Sequence, residues 1–150
     1  MLLPQRLIPH ETTVAVLMGG WSAERKVSMS TGEACAGALK RAGFNAVMID
    51  VQRDTIFSVL KDLNPHVAFN ALHGKWGEDG CCSALLETMR IPYTHSGVLA
   101  SSLAMNKEKS KTIFKSVGIP VPDSKLVELE VAATSHPMAP PYVIKPVDEG

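Results

Sequence analysis

"TVAVLMGGWSAERKVSMSTGEACAGALKRAGFNAVMIDV", residues 13–51, decides the fold class. It opens on a short apolar run, Thr13 to Gly19, that ends in Gly-Gly and has the length and content of a buried strand. Residues 26–43 follow at helical spacing, with Val27, Thr31, Ala34, Ala38 and Ala42 on one stripe. That segment closes with Lys40 and Arg41 and then Gly43, the charge and C-cap pattern of a helix end. Residues 44–51, "FNAVMIDV", form a second strand. Strand, helix and strand in this order describe a βαβ unit with parallel strands.

The rhythm continues outward from this unit. "TIFSVLKDL" (55–63) reads as a helix stopped before Pro65, "HVAFNAL" (66–72) as a third strand, and "CCSALLETM" (81–89) as a helix. "IPYTH" follows as a brief fourth strand. The expected class is α/β, with a mainly parallel sheet. After residue 96 the alternation changes. Residues 97–118 read as one helix, and "YVIKPV" (142–147) as a further strand beyond a polar, proline-rich loop. A domain boundary is placed near residue 105, giving a first domain over 1–105 and the start of a second over 106–150.

Composition narrows the function. The 150 residues are 45% hydrophobic, with 15 basic and 15 acidic side chains and no net formal charge. A nucleic-acid binder would show a basic patch or stripe, so that class is not expected. The opening "MLLPQRLIPHETT" carries two prolines and a charge before any apolar core, unlike a secretory signal. No apolar run approaches the ~18 residues of a membrane span. Cys35, Cys81 and Cys82 are odd in number and two are adjacent, which fits neither a disulfide framework nor usual zinc spacing. They read as reduced, semi-buried thiols of a cytoplasmic protein.

Two loops leave strand ends with unusual residues: "GGWSAERKVS" (19–28) and "HGKWGEDG" (73–80). In open parallel sheets, ligands bind beyond the carboxyl ends of the strands. The first loop runs Gly19-Gly20-Trp21-Ser22-Ala23-Glu24, so a carboxylate stands where a dinucleotide fingerprint has its last glycine. Negative charge there opposes a pyrophosphate and suits an ammonium, although Glu24 would also serve as a helix-start dipole partner. Arg25 and Lys26 are expected to point outward. In the second loop the glycines admit close approach of backbone to a ligand. Asp79 has the position of a helix cap and Glu78 that of a first-turn acid. His73, where the strand opens into the crevice, is open to a structural or a functional reading.

Taken together, "GGWSAERKVS", "HGKWGEDG", "MNKEKSK" and "YVIKPVDEG" resemble the D-alanine–D-alanine ligases of the ATP-grasp superfamily, from about residue 13 onward. The most specific element is His-Gly-x-x-Gly-Glu-Asp-Gly. The resemblance implies a Rossmann-like, pre-ATP-grasp domain followed by the beginning of an ATP-grasp domain. It also implies a cytoplasmic enzyme of peptidoglycan synthesis that joins two D-alanines through an acyl phosphate, using ATP and Mg²⁺, and that is a homodimer when full length. By motif, Glu24 fixes the ammonium of the first D-alanine and Val27 walls its methyl. His73 donates to the carboxylate oxygen that becomes an oxyanion, while Lys107 and Lys145 hold ATP phosphates.

The pattern is not followed throughout. Cys82 replaces an aliphatic residue, and Asn106 stands where aspartate is common. The serine-glycine loop, lid, magnesium carboxylates and second-substrate groups of the family are expected beyond residue 150, so the 150-residue chain alone is expected to be inactive. A D-alanine–D-lactate ligase and a non-enzymatic Rossmann-like binding module are the competing readings; the pairing of Glu24 with His73 disfavours the module.

Overall fold

The structure is a computed structural model that describes residues 7–149. Three parallel strands, β1 (Thr13–Gly19), β2 (Asn45–Val51) and β3 (Val67–Asn70), form a sheet in the order β2-β1-β3. β1 is central and in register with both neighbours, Leu17 opposite Ile49 on one side and Asn70 on the other. The remaining elements are a 3-10 turn at Pro9–Glu11 and the helices α1 (Arg25–Arg41), α2 (Ile56–Leu63), α3 (Cys81–Thr88), α4 (Val98–Met105), α5 (Lys107–Ser116) and α6 (Leu129–Thr134).

β1 is apolar at nearly every position because both its faces are covered. Val14 and Val16 point into a cluster with Ala36 of α1, while Ala15 and Leu17 point into another with Ile56 and Leu60 of α2 and Cys82 and Leu86 of α3. Burying each large aliphatic side chain contributes about 1.5–3 kcal/mol. A strand wrapped in this way reads as a continuous run rather than an alternation. Edge strand β2 alternates in its second half, with Ile49 and Val51 buried and Met48 and Asp50 exposed, while Ala46 is buried on the opposite face with Val14 and Val16.

The stripe expected on α1 is offset by one residue. Ser28, Gly32 and Ala36 face the sheet, whereas Val27, Ala34 and Ala38 are exposed and Thr31 is half-buried. The helix lies so close to β1 that a Cβ on Gly32 would overlap the Met18 side chain. Only small residues fit along that line, and the larger apolar residue, Val27, is turned outward. The end of α1 is as read: Gly43 has φ +89° and donates to the Lys40 carbonyl at 3.0 Å, and Phe44 donates to that of Leu39 at 3.0 Å. This paired closure is the Schellman arrangement.

Three other expectations are corrected. Residues 91–95 form a single bridge, Tyr93 beside Ala68, rather than a fourth strand. Pro92 has no N–H to give, although its carbonyl accepts from Ala68 at 2.8 Å. The segment 97–118 is two helices, because Asn106 adopts extended backbone and its side chain accepts from the Lys109 amide at 2.9 Å, capping α5. Residues 142–147 carry no strand; among the described residues no neighbouring strand pairs with them.

Candidate functional site

The first loop leaves β1 through Gly19 and Gly20, with φ of +78° and +75°, a left-handed pair that side chains oppose. The chain then turns into α1 at Glu24. Arg25 is pinned rather than directed to solvent: its guanidinium donates to both carboxylate oxygens of Asp50 at 2.7 Å and to the Gly20 carbonyl at 3.0 Å. The Arg25 guanidinium holds the Asp50 carboxyl below the usual carboxylate range, against the opposing effect of burial. Glu24 is thereby left facing the other way, toward the second loop.

The second loop, 71–80, is organised by buried Asn70 at the end of β3. Its amide donates to the Gly77 carbonyl at 2.7 Å and its oxygen accepts from the Leu72 amide at 3.1 Å. Asp79 accepts from the amides of Trp76 at 2.8 Å and Cys81 at 3.0 Å. Burial alone would raise the Asp79 carboxyl; these amide bonds together outweigh it and hold the group below its ordinary range. Asp79 is not itself the N-cap expected of it: Gly80, with φ +94°, takes that position, and Asp79, one residue earlier, reaches past it to the first amide of α3. Glu78 departs from the dipole reading, since its carboxylate turns back and accepts from the Gly74 amide at 2.7 Å.

The two loops are tied together at three levels. Ser28, fully buried, accepts from the Gly19 amide at 2.9 Å and donates to the Ala71 carbonyl at 2.8 Å, joining the ends of β1 and β3. Above it, the Ser22 hydroxyl donates to the His73 carbonyl at 2.7 Å. Trp21 and Trp76 pack with ring centroids 4.9 Å apart, and the Arg53 guanidinium lies 4.6 Å from the Trp21 ring. The aromatic pair joins the two loops, and cation–π contact adds to it.

These ties bring Glu24 and His73 to one end of the sheet. Glu24 Oε2 lies 2.5 Å from the point a Cβ on Gly74 would occupy, so the carboxylate rests directly over the His73-Gly74 backbone. The His73 ring has Nε2 at 3.1 Å from Thr31 Oγ1 and Nδ1 at 4.0 Å from Glu78 Oε1. Val27 is exposed on the helix face that runs from Glu24 to Thr31, one turn after the carboxylate. At the ends of β1 and β3 the two loops thus present two carboxylates, Glu24 and Glu78, an imidazole and the apolar side chain of Val27.

Lys107, at the start of α5, lines a cleft of about 320 Å³ together with Glu78, Ala104, Met105 and Glu149. Its ammonium donates to the Glu149 carbonyl and its amide to that of Val147 at 2.9 Å. Lys75 pairs with Asp148 at 3.4 Å. The segment 147–149 thus lies between the second loop and α5. Lys145 is exposed, a few residues from these contacts.

Among the described residues no three His, Cys, Asp or Glu side chains gather as a metal would need. No helix among the described residues is long and apolar enough to cross a membrane. Cys82 is fully buried, and burial pushes its thiol up to about 12, so it packs as a small apolar residue. Cys81 is exposed rather than semi-buried, and partial desolvation, with a hydrogen bond to the Asp79 carboxylate, raises its thiol too.

Sequence reasoning missed Ser22, Ser28, Thr31 and Asn70 as organisers of the site. The one signal available was polar residues falling at core positions, at Ser28 on α1 and Asn70 at the end of an apolar strand.

No family model matches the chain. It is 59% identical over 137 residues to a D-alanine–D-alanine ligase of Parvibaculum lavamentivorans, an overlap of 91% of this chain and 44% of that protein. It is also 59% identical to D-alanine–D-alanine ligase B of Mesorhizobium japonicum, over the same shares. The chain therefore spans less than half the length of these curated relatives. Among solved structures, it resembles the Bacillus anthracis ligase complexed with ATP, with a TM-score of 0.66 at 33% identity, covering 81% of this chain and 44% of that one. The Helicobacter pylori ligase shares the fold, with a TM-score of 0.71 at 24% identity, over 93% and 54%. Over its aligned residues the chain belongs to the D-alanine–D-alanine ligase family.

Proposed function

We propose that these residues form the first-substrate site of an enzyme that joins two D-alanines at the expense of ATP, for peptidoglycan synthesis. The observation that carries this reading is the meeting of Glu24 and His73 over Gly74 at the carboxyl ends of β1 and β3. Glu24 holds the ammonium of the first D-alanine, its carboxylate being free of Arg25, which Asp50 occupies. Val27 lies against the methyl. His73 donates to the substrate carboxylate oxygen on which negative charge grows when the second amine attacks. A donor aimed at developing charge in a water-poor site is worth more than one in solution.

ATP supplies the phosphoryl group that turns the first carboxylate into an acyl phosphate. Lys107 and Lys145 suit its phosphates as exposed cations, and Lys107 shares a cleft with Glu78 of the substrate loop. Mg²⁺ would neutralise phosphate charge in that transfer; we assign none of its ligands to residues 7–149. In this reading residues 1–105 are the substrate-binding domain and 106–150 open the ATP-grasp domain. The enzyme works in the cytoplasm as a homodimer.

The test is phosphate release and dipeptide formation by a full-length protein carrying these residues, supplied with ATP, Mg²⁺ and D-alanine. D-alanine-dependent turnover supports the reading. Its absence, in a folded protein, removes it.

A further inference from the structure

The imidazole of His73 is approached on both sides, and the two approaches are unequal. Thr31 Oγ1 stands at hydrogen-bond distance from Nε2, 3.1 Å, whereas Glu78 Oε1 is 4.0 Å from Nδ1, beyond a direct bond. Glu78 is held there because its other oxygen accepts the Gly74 amide at 2.7 Å.

The Thr31 hydroxyl differs from those of other helical threonines in the chain. Thr88, Thr112 and Thr134 each donate to the carbonyl four residues earlier, at 2.8, 2.9 and 2.7 Å. That back-bond is the usual destination of a helical threonine proton. Among the described residues, the Thr31 hydroxyl has His73 Nε2 as its partner instead. Its proton is thus free to go to the ring.

We propose that Thr31 is a positioning residue that fixes His73 in the tautomer with hydrogen on Nδ1. The Thr31 O–H donates to the Nε2 lone pair, and the Glu78 carboxylate, an acceptor only, favours an N–H on the nitrogen that faces it. Because Glu78 stands too far for a direct bond, the Nδ1–H stays available to a substrate oxygen. The opposite tautomer would turn a lone pair toward both Glu78 and the substrate carboxylate. This inference rests on the functional reading above for the role of the N–H, while the tautomer itself can be read without any activity.

The experiment compares the wild-type protein, Thr31→Val and Thr31→Ser. Long-range proton–nitrogen correlation spectra of the His73 ring report which nitrogen carries the proton. The wild type and Thr31→Ser should show hydrogen on Nδ1, and the valine variant, of similar shape, a mixture of both tautomers. In a full-length ligase carrying these residues, Thr31→Val should lower kcat by about 3- to 10-fold, the scale of one hydrogen bond, with serine restoring it. KM for the first D-alanine should change little. Hydrogen on Nε2 in the wild type, identical ring spectra in the wild type and a folded Thr31→Val, or unchanged kcat in that variant each overturns the proposal. Failure of the functional reading shows itself separately, as a wild type without D-alanine-dependent turnover, and leaves the spectra unaffected.

Discussion

Gly74 and Glu24 are in direct apposition: the carboxylate occupies the space a side chain at residue 74 would need. Gly74 also has φ +72°, in the left-handed region. Gly74→Ala would meet both problems at once. A left-handed residue with a Cβ costs about 1–2 kcal/mol before any overlap is counted. The variant should lose at least that much stability in urea unfolding, and D-alanine binding should weaken because Glu24 must move. Wild-type stability together with wild-type binding would show that the loop is not held as described.

Ser28 gives a sharper stability test. Its hydroxyl satisfies the Gly19 amide and the Ala71 carbonyl within a buried seam. In Ser28→Ala, two backbone groups lose their partner, and an orphaned buried polar group costs about 1–3 kcal/mol. Denaturant titration should show a loss of about 2–4 kcal/mol. Ser22→Ala, at a half-buried position on the same loop pair, should cost less. An equal effect of the two substitutions would contradict the buried position of Ser28.

Asp79 predicts a pH dependence. Its folded-state carboxyl lies below the ordinary value near 3.9 because the Trp76 and Cys81 amides, together outweighing burial, favour the charged form. A depressed acid contributes stability that is present above its unfolded pKa and lost as pH falls through the folded one. Asp79→Asn should therefore lower stability at pH 7 and flatten its decline below about pH 4. Unfolding measured from pH 7 down to pH 3 checks this; parallel curves for both proteins would remove Asp79 as a contributor.

The proposed roles of Glu24 and His73 separate in kinetics of a full-length ligase. His73→Ala should lower turnover by about 10²-fold or more, the scale of a lost oxyanion donor, without unfolding the protein. Glu24→Gln removes the charge facing the ammonium and should chiefly raise KM for the first D-alanine. Steady-state rates against D-alanine concentration distinguish the two. Unchanged constants in both variants would make these residues structural.

Much of this molecule is legible in the sequence because its signals are local. The apolar run 13–19, the Gly43 helix stop, and the spacing of strands and helices to residue 90 each reflect a backbone preference acting within a few residues. The motifs "GGWSAERKVS" and "HGKWGEDG" likewise identified Glu24 and His73 as residues to watch. What failed was also systematic. On α1 the periodicity points one residue away from the buried stripe, because it weighs hydrophobicity whereas close packing on Met18 rewards small size. The proposed strand at 142–147 has β-forming residues but, among those described, no neighbour to complete its hydrogen bonds.

The sequence by itself determined the fold class, the family, and which two loops carry the unusual residues, since all three are encoded in order and spacing along the chain. Only the tertiary structure decided what those residues face. Arg25 is spent on Asp50 and Glu78 turns back to Gly74, while Thr31, which periodicity put with the core, reaches His73. Two of those contacts join elements remote in sequence, 25 residues apart for Arg25–Asp50 and 42 for Thr31–His73. The exception, Glu78 to Gly74, spans four residues but depends on Asn70 to shape the loop. Parallel pairing of β1 with β2 brings Asp50 to Arg25, and its pairing with β3 brings His73 to Thr31; the order of residues along the chain reveals neither.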